Sequence, residues 1–407
     1  MAIVFNAWPK KDGTYLNKMK ILTIVGARPQ FIKAAMVSRA LMAHNRRMGA
    51  AAGDRTPSFP WPEGALREEI LHTGQHYDPN MSAVFFDQLG IPAPAANLDI
   101  NGGSHGQMTG RMLAAIEVQI QERRPDLVMV YGDTNSTLAG ALAAAKLHVP
   151  VAHVEAGLRS FNRRMPEEIN RVLTDHVAAL LFCPTRTAVD NLAREGICDG
   201  VYHVGDVMYD AAQCFADMAA ARSTILEDLG LARGQYLLST VHRAENTDDP
   251  RRLENILEAL ALLSQRFTVV FPLHPRTRRK IEDGARARGA SPTTRVKLIP
   301  PVSFLDMVQL EKNARCILTD SGGVQKEAYF HRVPCVTLRD ETEWRETVAA
   351  GWNQLAGTDV QGICRAVDQA GQGGTIVDYG DGACSHKIVQ IMAAFARADE
   401  GWRTASK

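Results

Sequence analysis

Three separated stretches of the sequence carry residue types that could form one active site. They read GARPQFIKAA at residues 26–35, YGDTNST and HVEAGLRSFNRRMPEEINR between residues 131 and 171, and TDSGGVQKEAYF at residues 319–330. Together they contain cations, carboxylates and the start of a helix that can hold an anion. This combination predicts chemistry on a nucleotide-linked substrate.

The segment CILTDSGGVQKEAYF has the pattern of a strand, a turn of small residues and a helix. Free N–H groups at such a helix start would face a ligand above Gly322 and Gly323, and a phosphate is the natural occupant. Ser321 is a candidate to cap the helix or to donate to the phosphate, and Glu327 to accept from the two hydroxyls of a ribose. An ordinary capped helix with a surface glutamate would explain the same pattern. The segment lacks both GxGxxG and the Walker lysine, so neither a dinucleotide nor ATP is indicated.

Two further segments place cations at the ends of strands. In GARPQFIKAA, Arg28 follows a strand and Lys33 comes one helical turn later, where both could stabilise the charge developing on a leaving pyrophosphate. A solvated helix start with two surface cations is the alternative. STVHRAEN adds His242 and Arg243 after a later strand, although a lone histidine is more often structural.

Four carboxylates follow strands or turns in one polar stretch: Asp133, Glu155, Glu167 and Glu168. Clustered carboxylates repel each other, which raises the pKa of at least one and suits a group that takes and returns a proton. The alternative is that Asp133 caps a helix and that the glutamates form salt bridges. The nearby partners for such bridges are Arg159, Arg163, Arg164 and Arg171. Glu155 ends an apolar strand, where an unpaired carboxylate would be costly.

Eight short apolar runs must position these residues, and each is followed by a turn and an Ala- and Leu-rich stretch. They are ILTIVGARP, LVMVYGDTN, VPVAHVEAG, ALLFCPT, YLLSTVHRAEN, TVVFPLHP, CILTDSGG and PCVTLRD. This alternation predicts an α/β fold with doubly wound parallel sheets. Ligands bind beyond the carboxyl ends of such strands, so two domains facing each other would place the site in a cleft.

The predicted division of the chain has three parts, with a junction near Gly205. Residues 1–204 form a domain carrying the candidate carboxylates, residues 205–378 a second domain for the nucleotide, and residues 379–407 a helix that packs back on the first domain. A long helix is expected to start near Tyr209. The segment 44–69, rich in Gly, Pro and charge, is predicted to be an exposed loop.

Composition excludes several classes of protein. The 407 residues carry 46 Lys and Arg against 45 Asp and Glu, so no global field attracts nucleic acid or an anionic membrane. The seven cysteines show no CxxC pair, which predicts reduced thiols, several of them in core strands. No basic leader precedes the first apolar residues, and no run is long enough to span a membrane. We therefore expect a cytoplasmic protein.

The ordered motifs resemble a known family, the non-hydrolysing UDP-N-acetylglucosamine 2-epimerases. The motifs are GARPQFIKAA, HTGQHYD, YGDTNST, HVEAGLRS, MPEEINR, VHRAEN, TDSGGVQKEA and LRDETEWRE, and the resemblance runs from about Lys20 to the C-terminal helix. It implies two Rossmann-like domains, as in glycosyltransferase-B enzymes, and a homodimer. It also implies a UDP-sugar substrate for a cell-surface polysaccharide such as lipopolysaccharide, with no cofactor and no metal.

The family's reaction inverts C2 by eliminating UDP to give a 2-acetamidoglucal and adding it back with the proton on the other face. By resemblance, Asp133, Glu155 and Glu167 are the acid–base carboxylates, with their faces unassigned, and His242 binds the phosphates and helps UDP leave. The resemblance assigns the UDP-binding residues as Arg28, Lys33, Phe304, Ser321, Gly322, Gly323 and Glu327, with Lys33 near the reacting centre and Phe304 beside the uracil.

Two departures from the family pattern bear on the substrate. Many members that act on UDP-GlcNAc read GTRPE where this chain reads GARPQ, and carry Arg at the position of Tyr77. The segments GARPQFIKA, INGGSHGQMTGRM and LRDETEW are more similar to those of the branch that epimerises UDP-2,3-diacetamido-2,3-dideoxyglucuronate. Gln75, His76 and Arg111 match residues that bind an activating second UDP-GlcNAc in bacterial members.

Three other functions fit parts of the same sequence. A glycosyltransferase of this architecture would hold a UDP-sugar similarly, although three carboxylates around one sugar argue against it. A hydrolysing epimerase would let water rather than UDP attack the glucal. A non-catalytic UDP-sugar sensor would need none of the acid–base residues that this chain carries.

Overall fold

Parallel β-sheets flanked by helices make up the framework of the protein. The structure is a computed structural model that describes residues 18–51, 65–75, 86, 89–273, 275–288 and 296–405. The chain forms two units, one of residues 1–211 with 378–407 and the other of residues 212–377. The chain enters the second unit within the helix Val207–Arg222 and leaves it between residues 377 and 378.

The first unit contains a seven-stranded sheet in the order β3-β2-β1-β4-β5-β6-β7, with every described pairing parallel. Its strands are β1 (Lys18–Val25), β2 (Ala65–His72), β3 (Ala96–Asn97), β4 (Leu127–Tyr131), β5 (Val151–Val154), β6 (Leu180–Cys183) and β7 (Val201–His203). Its helices are α1 (Arg28–Ala51), α2 (His105–Arg123), α3 (Asn135–Lys146), α4 (Pro166–Val177), α5 (Arg186–Arg194) and the beginning of α6 (Val207–Arg222).

The second unit contains a six-stranded sheet in the order β10-β9-β8-β11-β12-β13, again parallel. Its strands are β8 (Tyr236–Thr240), β9 (Thr268–Pro272), β10 (Val296–Ile299), β11 (Cys316–Thr319), β12 (Cys335–Thr337) and β13 (Asn353–Leu355). Its helices are α7 (Ile225–Asp228), α8 (Ala244–Thr247), α9 (Pro250–Leu263), α10 (Pro275–Arg288), α11 (Phe304–Asn313), α12 (Gly322–Phe330), α13 (Arg345–Ala349) and α14 (Val360–Gln369).

The last part of the chain returns to the first unit. A 3₁₀ turn (Val377–Tyr379) leads into α15 (Cys384–Ala405), which packs against α1. The carboxylate of Asp210 accepts hydrogen bonds from the backbone N–H groups of Cys384 and Ser385 and from the Ser385 hydroxyl, at 2.6–3.1 Å. These bonds satisfy amides at the start of α15 and fix the helix to α6.

Both sheets have the doubly wound order, in which strand succession reverses beside the first strand. The reversal lies between β1 and β4 in the first unit and between β8 and β11 in the second. The predicted α/β class is confirmed, and all eight predicted runs are strands. Ligands of such sheets bind at the carboxyl ends of the strands beside the reversal. In the first unit these are the loops after β1 and β4, and in the second unit they are the loops after β8 and β11.

The prediction of an exposed loop over residues 44–69 is wrong at both ends. Helix α1 continues to Ala51 and strand β2 begins at Ala65, while residues 52–64 lie outside the described part of the chain. The segment ALREEILH forms strand β2 although it carries several charged residues, because its two glutamates have ion-pair or hydrogen-bond partners. Glu69 pairs with Lys20 and Arg123, and Glu68 accepts from the hydroxyl of Thr23 at 2.6 Å.

The cores explain why the apolar runs became strands. All five residues of β4 and all five of β8 are buried, and side chains of both strands contribute to hydrophobic clusters. Cys183, Cys316 and Cys335 lie in β6, β11 and β12, and all seven cysteines are free thiols. No helix in the described part of the chain is long and apolar enough to cross a membrane.

Candidate active site

The carboxyl edge of the first sheet carries predicted residues on two neighbouring strands. Arg28 begins α1 immediately beyond β1, and its side chain is half-buried. Asp133 follows Gly132 directly after β4. Because β1 and β4 pair with each other, these loops lie side by side at the reversal of strand order.

Lys33 and Glu155 form an ion pair at the same edge, with side chains that are only 13% and 6% exposed. Both charged groups lie beside Gly132. A Cβ placed on that glycine would be 3.6 Å from Nζ of Lys33 and 3.5 Å from Oε2 of Glu155. The structure therefore brings Lys33, Asp133 and Glu155 to one place, and the carboxylate of Glu155 is a paired one.

Glu155 also has an unusual backbone conformation. Its φ of 69° lies in the left-handed region, which L residues other than glycine rarely adopt. Its N–H donates to the carbonyl of Phe182 at 3.1 Å, which anchors the residue to β6. Residues held in this way cost of order 1 kcal/mol and concentrate at functional sites, which supports a role for Glu155 beyond packing.

Asp133 and Glu168 share one guanidinium. Nη2 of Arg171 lies 2.6 Å from Oδ2 of Asp133, and Nη1 of Arg171 lies 2.8 Å from Oε2 of Glu168. The salt-bridge interpretation made for the glutamates is thus confirmed for Glu168, and Asp133 forms a salt bridge that was not predicted. Helix capping by Asp133 is not confirmed, because the hydroxyl of Thr134 caps α3.

The two glutamates at the start of α4 differ in their surroundings. Glu168 is buried and accepts from the N–H groups of Ser160 and Phe161 at 2.9 and 2.8 Å. Burial acts to raise the pKa of Glu168, but these bonds and Arg171 outweigh it, so the pKa is lowered. The predicted repulsion therefore does not raise the pKa of this carboxylate. Glu167 is half-exposed and has no hydrogen bond or ion pair among the described residues, which leaves its carboxylate accessible.

Two of the three residues assigned to an activator site make contacts within the first unit. Oε1 of Gln75 accepts from the N–H and the hydroxyl of Ser136, at 3.0 and 2.7 Å. Nη2 of Arg111 donates to the carbonyls of Asn101 and Gly102. Both side chains thus hold local backbone in place, and the third residue, His76, lies outside the described residues.

A buried charged network beneath this edge was missed by the sequence reasoning. Nδ1 of His153 lies 2.6 Å from Oδ1 of Asp175, and Nε2 of His153 lies 2.7 Å from the carbonyl oxygen of Gly132. Arg159 continues the network, with Nη1 2.7 Å from Oδ2 of Asp175 and two bonds to Glu195. Burial acts to raise the pKa of Asp175, but His153 and Arg159 lower it overall.

The second unit presents His242 at the carboxyl edge beside the other reversal. The imidazole is 50% exposed, and its Nδ1 lies 3.3 Å from Oδ1 of Asp320, which is fully buried. Asp320 also accepts from the N–H groups of His242 and Arg243 and from the amide of Asn246, each at 3.1 Å. Asp320, another residue that sequence reasoning missed, therefore fixes the loop on which His242 is carried.

The helix start predicted to bind an anion is formed as expected. Ser321 is the N-cap of α12, and its hydroxyl accepts from the N–H of Val324. Gly322 is buried, and a Cβ there would lie 2.2 Å from Oε1 of Glu343. Gly323 is exposed and has room for a Cβ, whose nearest neighbour would be Oγ of Ser321 at 3.8 Å.

Glu343 lies between two guanidinium groups next to this helix start. Its carboxylate is 2.9 Å from Nη1 of Arg339 and 3.7 Å from Nη2 of Arg243. Burial acts to raise the pKa of Glu343, but the two arginines outweigh it and the pKa is lowered. A persistent carboxylate thus holds both cations beside the N–H groups of α12.

The remaining predicted residues lie on α11 and α12. Glu327 is half-buried on α12, and Glu311 of α11 is buried near it. Burial and then the charge of Glu327 raise the pKa of Glu311 well above its ordinary value. Phe304 begins α11 and packs edge-on against Phe215, with 5.0 Å between ring centroids. Phe304 is thus a core residue as well as a candidate for the uracil contact.

No group of three or more His, Cys, Asp or Glu side chains in the described chain is arranged to hold a metal ion.

Residues 62–393 match the family model described as UDP-N-acetylglucosamine 2-epimerase. The chain belongs to this 2-epimerase family. It is 51% identical to the UDP-2,3-diacetamido-2,3-dideoxy-D-glucuronate 2-epimerase of Pseudomonas aeruginosa, with 92% of this chain and 99% of that protein covered. A UDP-N-acetylglucosamine 2-epimerase homolog of Methanococcus maripaludis is 50% identical with the same coverage.

A solved 2-epimerase supports the fold as well. The crystal structure of Methanocaldococcus jannaschii UDP-GlcNAc 2-epimerase in complex with UDP-GlcNAc and UDP matches with a TM-score of 0.78 and 40% identity. The match covers 93% of this chain and 99% of the other. The predicted family and its glycosyltransferase-B-like fold class are therefore confirmed, as is membership of an isomerase family.

Proposed function

We propose that this protein inverts C2 of a UDP-linked 2-acetamido sugar. The observation that carries the proposal is the meeting of Lys33, Asp133 and Glu155 around Gly132, in a chain that belongs to the 2-epimerase family. Inversion at a carbon requires proton transfer on both faces, and this edge supplies more than one carboxylate together with a cation.

The reaction proceeds by elimination because no carbonyl group acidifies the proton at C2. A carboxylate removes this proton, the C1–O bond breaks, and UDP leaves with the electron pair to give a 2-acetamidoglucal. A UDP oxygen then adds to C1 while an acid delivers a proton to the other face of C2. Asp133, Glu155 and Glu167 are the proposed acid–base residues, and the carboxylate of Glu167 makes no hydrogen bond or ion pair among the described residues.

The second unit supplies the groups for UDP. His242 is the proposed donor to the leaving phosphate, since its imidazole is half exposed and its other nitrogen faces Asp320. The N–H groups of Gly322 and Gly323, with the hydroxyl of Ser321, suit the pyrophosphate, as does Arg28 of the first unit. Glu327 is the proposed ribose acceptor and Phe304 the proposed uracil contact.

Two sugars are candidates for the substrate. UDP-GlcNAc, converted to UDP-ManNAc, is the substrate that the family name specifies. UDP-2,3-diacetamido-2,3-dideoxy-D-glucuronate is favoured by a specific observation, because the Pseudomonas aeruginosa enzyme for that sugar is 51% identical whereas the Methanocaldococcus jannaschii UDP-N-acetylglucosamine 2-epimerase is 41% identical.

The test is to incubate the protein with each sugar and separate the products by chromatography. Formation of the C2 epimer with UDP still attached supports the proposal and identifies the substrate. Release of UDP with a free sugar indicates a hydrolysing epimerase instead. If neither sugar changes although both bind, the epimerase proposal fails and a transferase or a sensor becomes the better account.

Assembly and activation belong to the same proposal. Ile169 and Leu173 lie one turn apart on α4 and are 47% and 43% exposed, which suits the proposed homodimer. Sedimentation of the purified protein should give the mass of two chains.

Activation by a second UDP-GlcNAc at Gln75, His76 and Arg111 predicts that adding this nucleotide sugar accelerates turnover of the substrate.

A further inference from the structure

His153 links the two loops that carry proposed acid–base residues. It lies on β5 two positions before Glu155, and its side chain is fully buried. Its Nε2 contacts the carbonyl oxygen of Gly132 at 2.7 Å, and Gly132 immediately precedes Asp133. A single imidazole therefore connects the backbone of the Asp133 loop to the strand that ends at Glu155.

Both ring nitrogens of His153 face groups that can only accept hydrogen bonds. Oδ1 of Asp175 lies 2.6 Å from Nδ1, and a backbone carbonyl faces Nε2. A neutral imidazole has one protonated nitrogen and would leave one of these contacts unmade. The contacts are those of a ring that donates from both nitrogens, to the carboxylate of Asp175 and to the carbonyl oxygen of Gly132.

The network behind His153 holds that carboxylate in place. Oδ2 of Asp175 accepts from Nη1 of Arg159 at 2.7 Å and from the N–H of Gly157 at 3.1 Å. Arg159 in turn makes two bonds to Glu195 at 2.7 and 2.8 Å. A buried ring whose partner is fixed in this way cannot rotate without breaking several charge-assisted bonds.

Three side chains anchor the Asp133 loop in addition to a backbone bond, in which the N–H of Gly132 donates to the carbonyl oxygen of Val154 on β5 at 2.9 Å. Nδ2 of Asn170 donates to the carbonyl oxygen of Asp133 at 2.8 Å, and Arg171 holds its carboxylate. Asn170 and Arg171 both come from α4, so they fix Asp133 relative to that helix. Among these three side chains, only His153 adds to the backbone bond that fixes the loop relative to the strand of Glu155.

We propose that His153 is a positioning residue that sets the separation between the backbones of Asp133 and Glu155. This inference rests on the proposed function, since the separation matters for proton transfer at C2. It assigns His153 no contact with the sugar. Displacements of about 1 Å at reacting groups can cost about 100-fold in rate.

Two variants test the bonds made by the two ring nitrogens of His153 separately. In His153→Asn the side-chain nitrogen can occupy the Nδ1 position and keep the bond to Asp175, but it cannot reach Gly132. In His153→Gln the nitrogen can occupy the Nε2 position and keep the bond to Gly132. We expect the Asn variant to lose about 100-fold in kcat, and the Gln variant to recover at least about tenfold of that loss.

A purely structural role would give a different pattern. We expect KM and the Kd for UDP of the Asn variant to stay close to wild type while kcat falls. The melting temperature should fall by a similar amount in both variants, because each loses one bond of a fully buried ring. Equal kcat in the Asn variant and wild type, or equal losses in both variants, would overturn the positioning role. Wild-type turnover would in that case still support the proposed function.

A second measurement on the wild-type protein covers the case in which the variants fail to fold or the wild type is inactive on both sugars. In a nitrogen-15 histidine spectrum, Nε2 of His153 is expected to carry the proton that it donates to the carbonyl oxygen of Gly132. A bare Nε2 would contradict the inference. Amide exchange at Asp133 and Thr134, faster in His153→Asn than in His153→Gln, reports the loop anchor without reference to catalysis.

Discussion

Lys33 and Glu155, 122 residues apart in the sequence, form an ion pair at the carboxyl edge of the first sheet. Both side chains are almost buried, so their interaction is weakly screened by solvent. The pair joins the first turns of α1 to the loop after β5 and places a cation and a carboxylate beside the turn that carries Asp133.

Replacing one member of this pair should be worse for stability than replacing both. Lys33→Met should lower the free energy of unfolding by about 3 kcal/mol, because a buried carboxylate loses its counter-charge. In Lys33→Met with Glu155→Gln, part of that loss should return, giving a coupling energy of about 1–3 kcal/mol in a double-mutant cycle. Urea unfolding of the four proteins measures it, and strictly additive losses would show that the pair is not coupled.

Arg171 bridges two carboxylates, so its replacement by lysine should slow the reaction. In Arg171→Lys a single ammonium cannot hold Asp133 and Glu168 in the same geometry, so kcat should fall about 10- to 100-fold. The Kd for UDP should not change, since its proposed contacts lie elsewhere. Arg163→Lys, at an exposed arginine of the same segment, is the matched control and should resemble wild type. Equal kcat in both variants would contradict a role for the bridge.

His242 and Asp320 should respond differently to substitution. His242→Gln removes a half-exposed ring, so we expect turnover to fall at least about 100-fold with little change in melting temperature. Asp320→Asn should lower both, by about 2–4 kcal/mol in stability, because an amide cannot accept all the bonds that the buried carboxylate accepts. Calorimetry together with steady-state kinetics separates the two outcomes. A stable Asp320→Asn protein would argue against its proposed hold on the loop.

The neighbouring glycines at the start of α12 form a matched pair. Gly322→Ala should destabilise the protein by about 1–3 kcal/mol, since its Cβ would meet Oε1 of Glu343, which Arg339 holds in place. Gly323→Ala has room for the methyl group and should stabilise it by about 0.5–1 kcal/mol through helix propensity. Thermal unfolding tests the contrast, and a loss of equal size in both variants would refute the packing argument.

Glu311 should make stability depend on pH. Its pKa is raised in the folded protein, so above the ordinary value of 4.5 the folded state keeps a proton that the unfolded state has lost. Wild-type stability therefore falls, relative to Glu311→Gln, by about 1.4 kcal/mol per pH unit from that value up to the folded pKa. Urea unfolding between pH 4 and 8 measures the difference. Glu341→Gln, at an exposed glutamate, is the control and should follow wild type across the range.

Much of the framework was predictable because its signals are local. The apolar runs ending at Val25, Tyr131 and Thr240 have the length of strands and are followed by turn residues, and each is a strand in the structure. Strand β2 was not predictable in this way, because Glu68 and Glu69 interact with side chains distant in sequence, such as Thr23 and Arg123.

In the site, too, features with a local sequence signal were predictable, and features that depend on contacts between distant residues were not. The types and positions of Asp133, Glu155 and His242 follow from motifs at strand ends. Their partners do not, because pairing with Arg171, Lys33 and Asp320 depends on which strands are neighbours. His153 had a visible signal, a histidine inside the apolar run VPVAHV. Only the fold shows that both of its ring nitrogens are engaged.

The measurement that tests the central claim most directly is proton NMR of each candidate UDP-sugar in deuterated water, with wild type and with Glu155→Gln. For the true substrate, wild type should place deuterium at C2 in both epimers, because the proton is lost and returned from solvent. Glu155→Gln should bind UDP as tightly but incorporate no deuterium. Wild-type epimerisation without deuterium at C2, or unchanged incorporation by Glu155→Gln, would contradict the account.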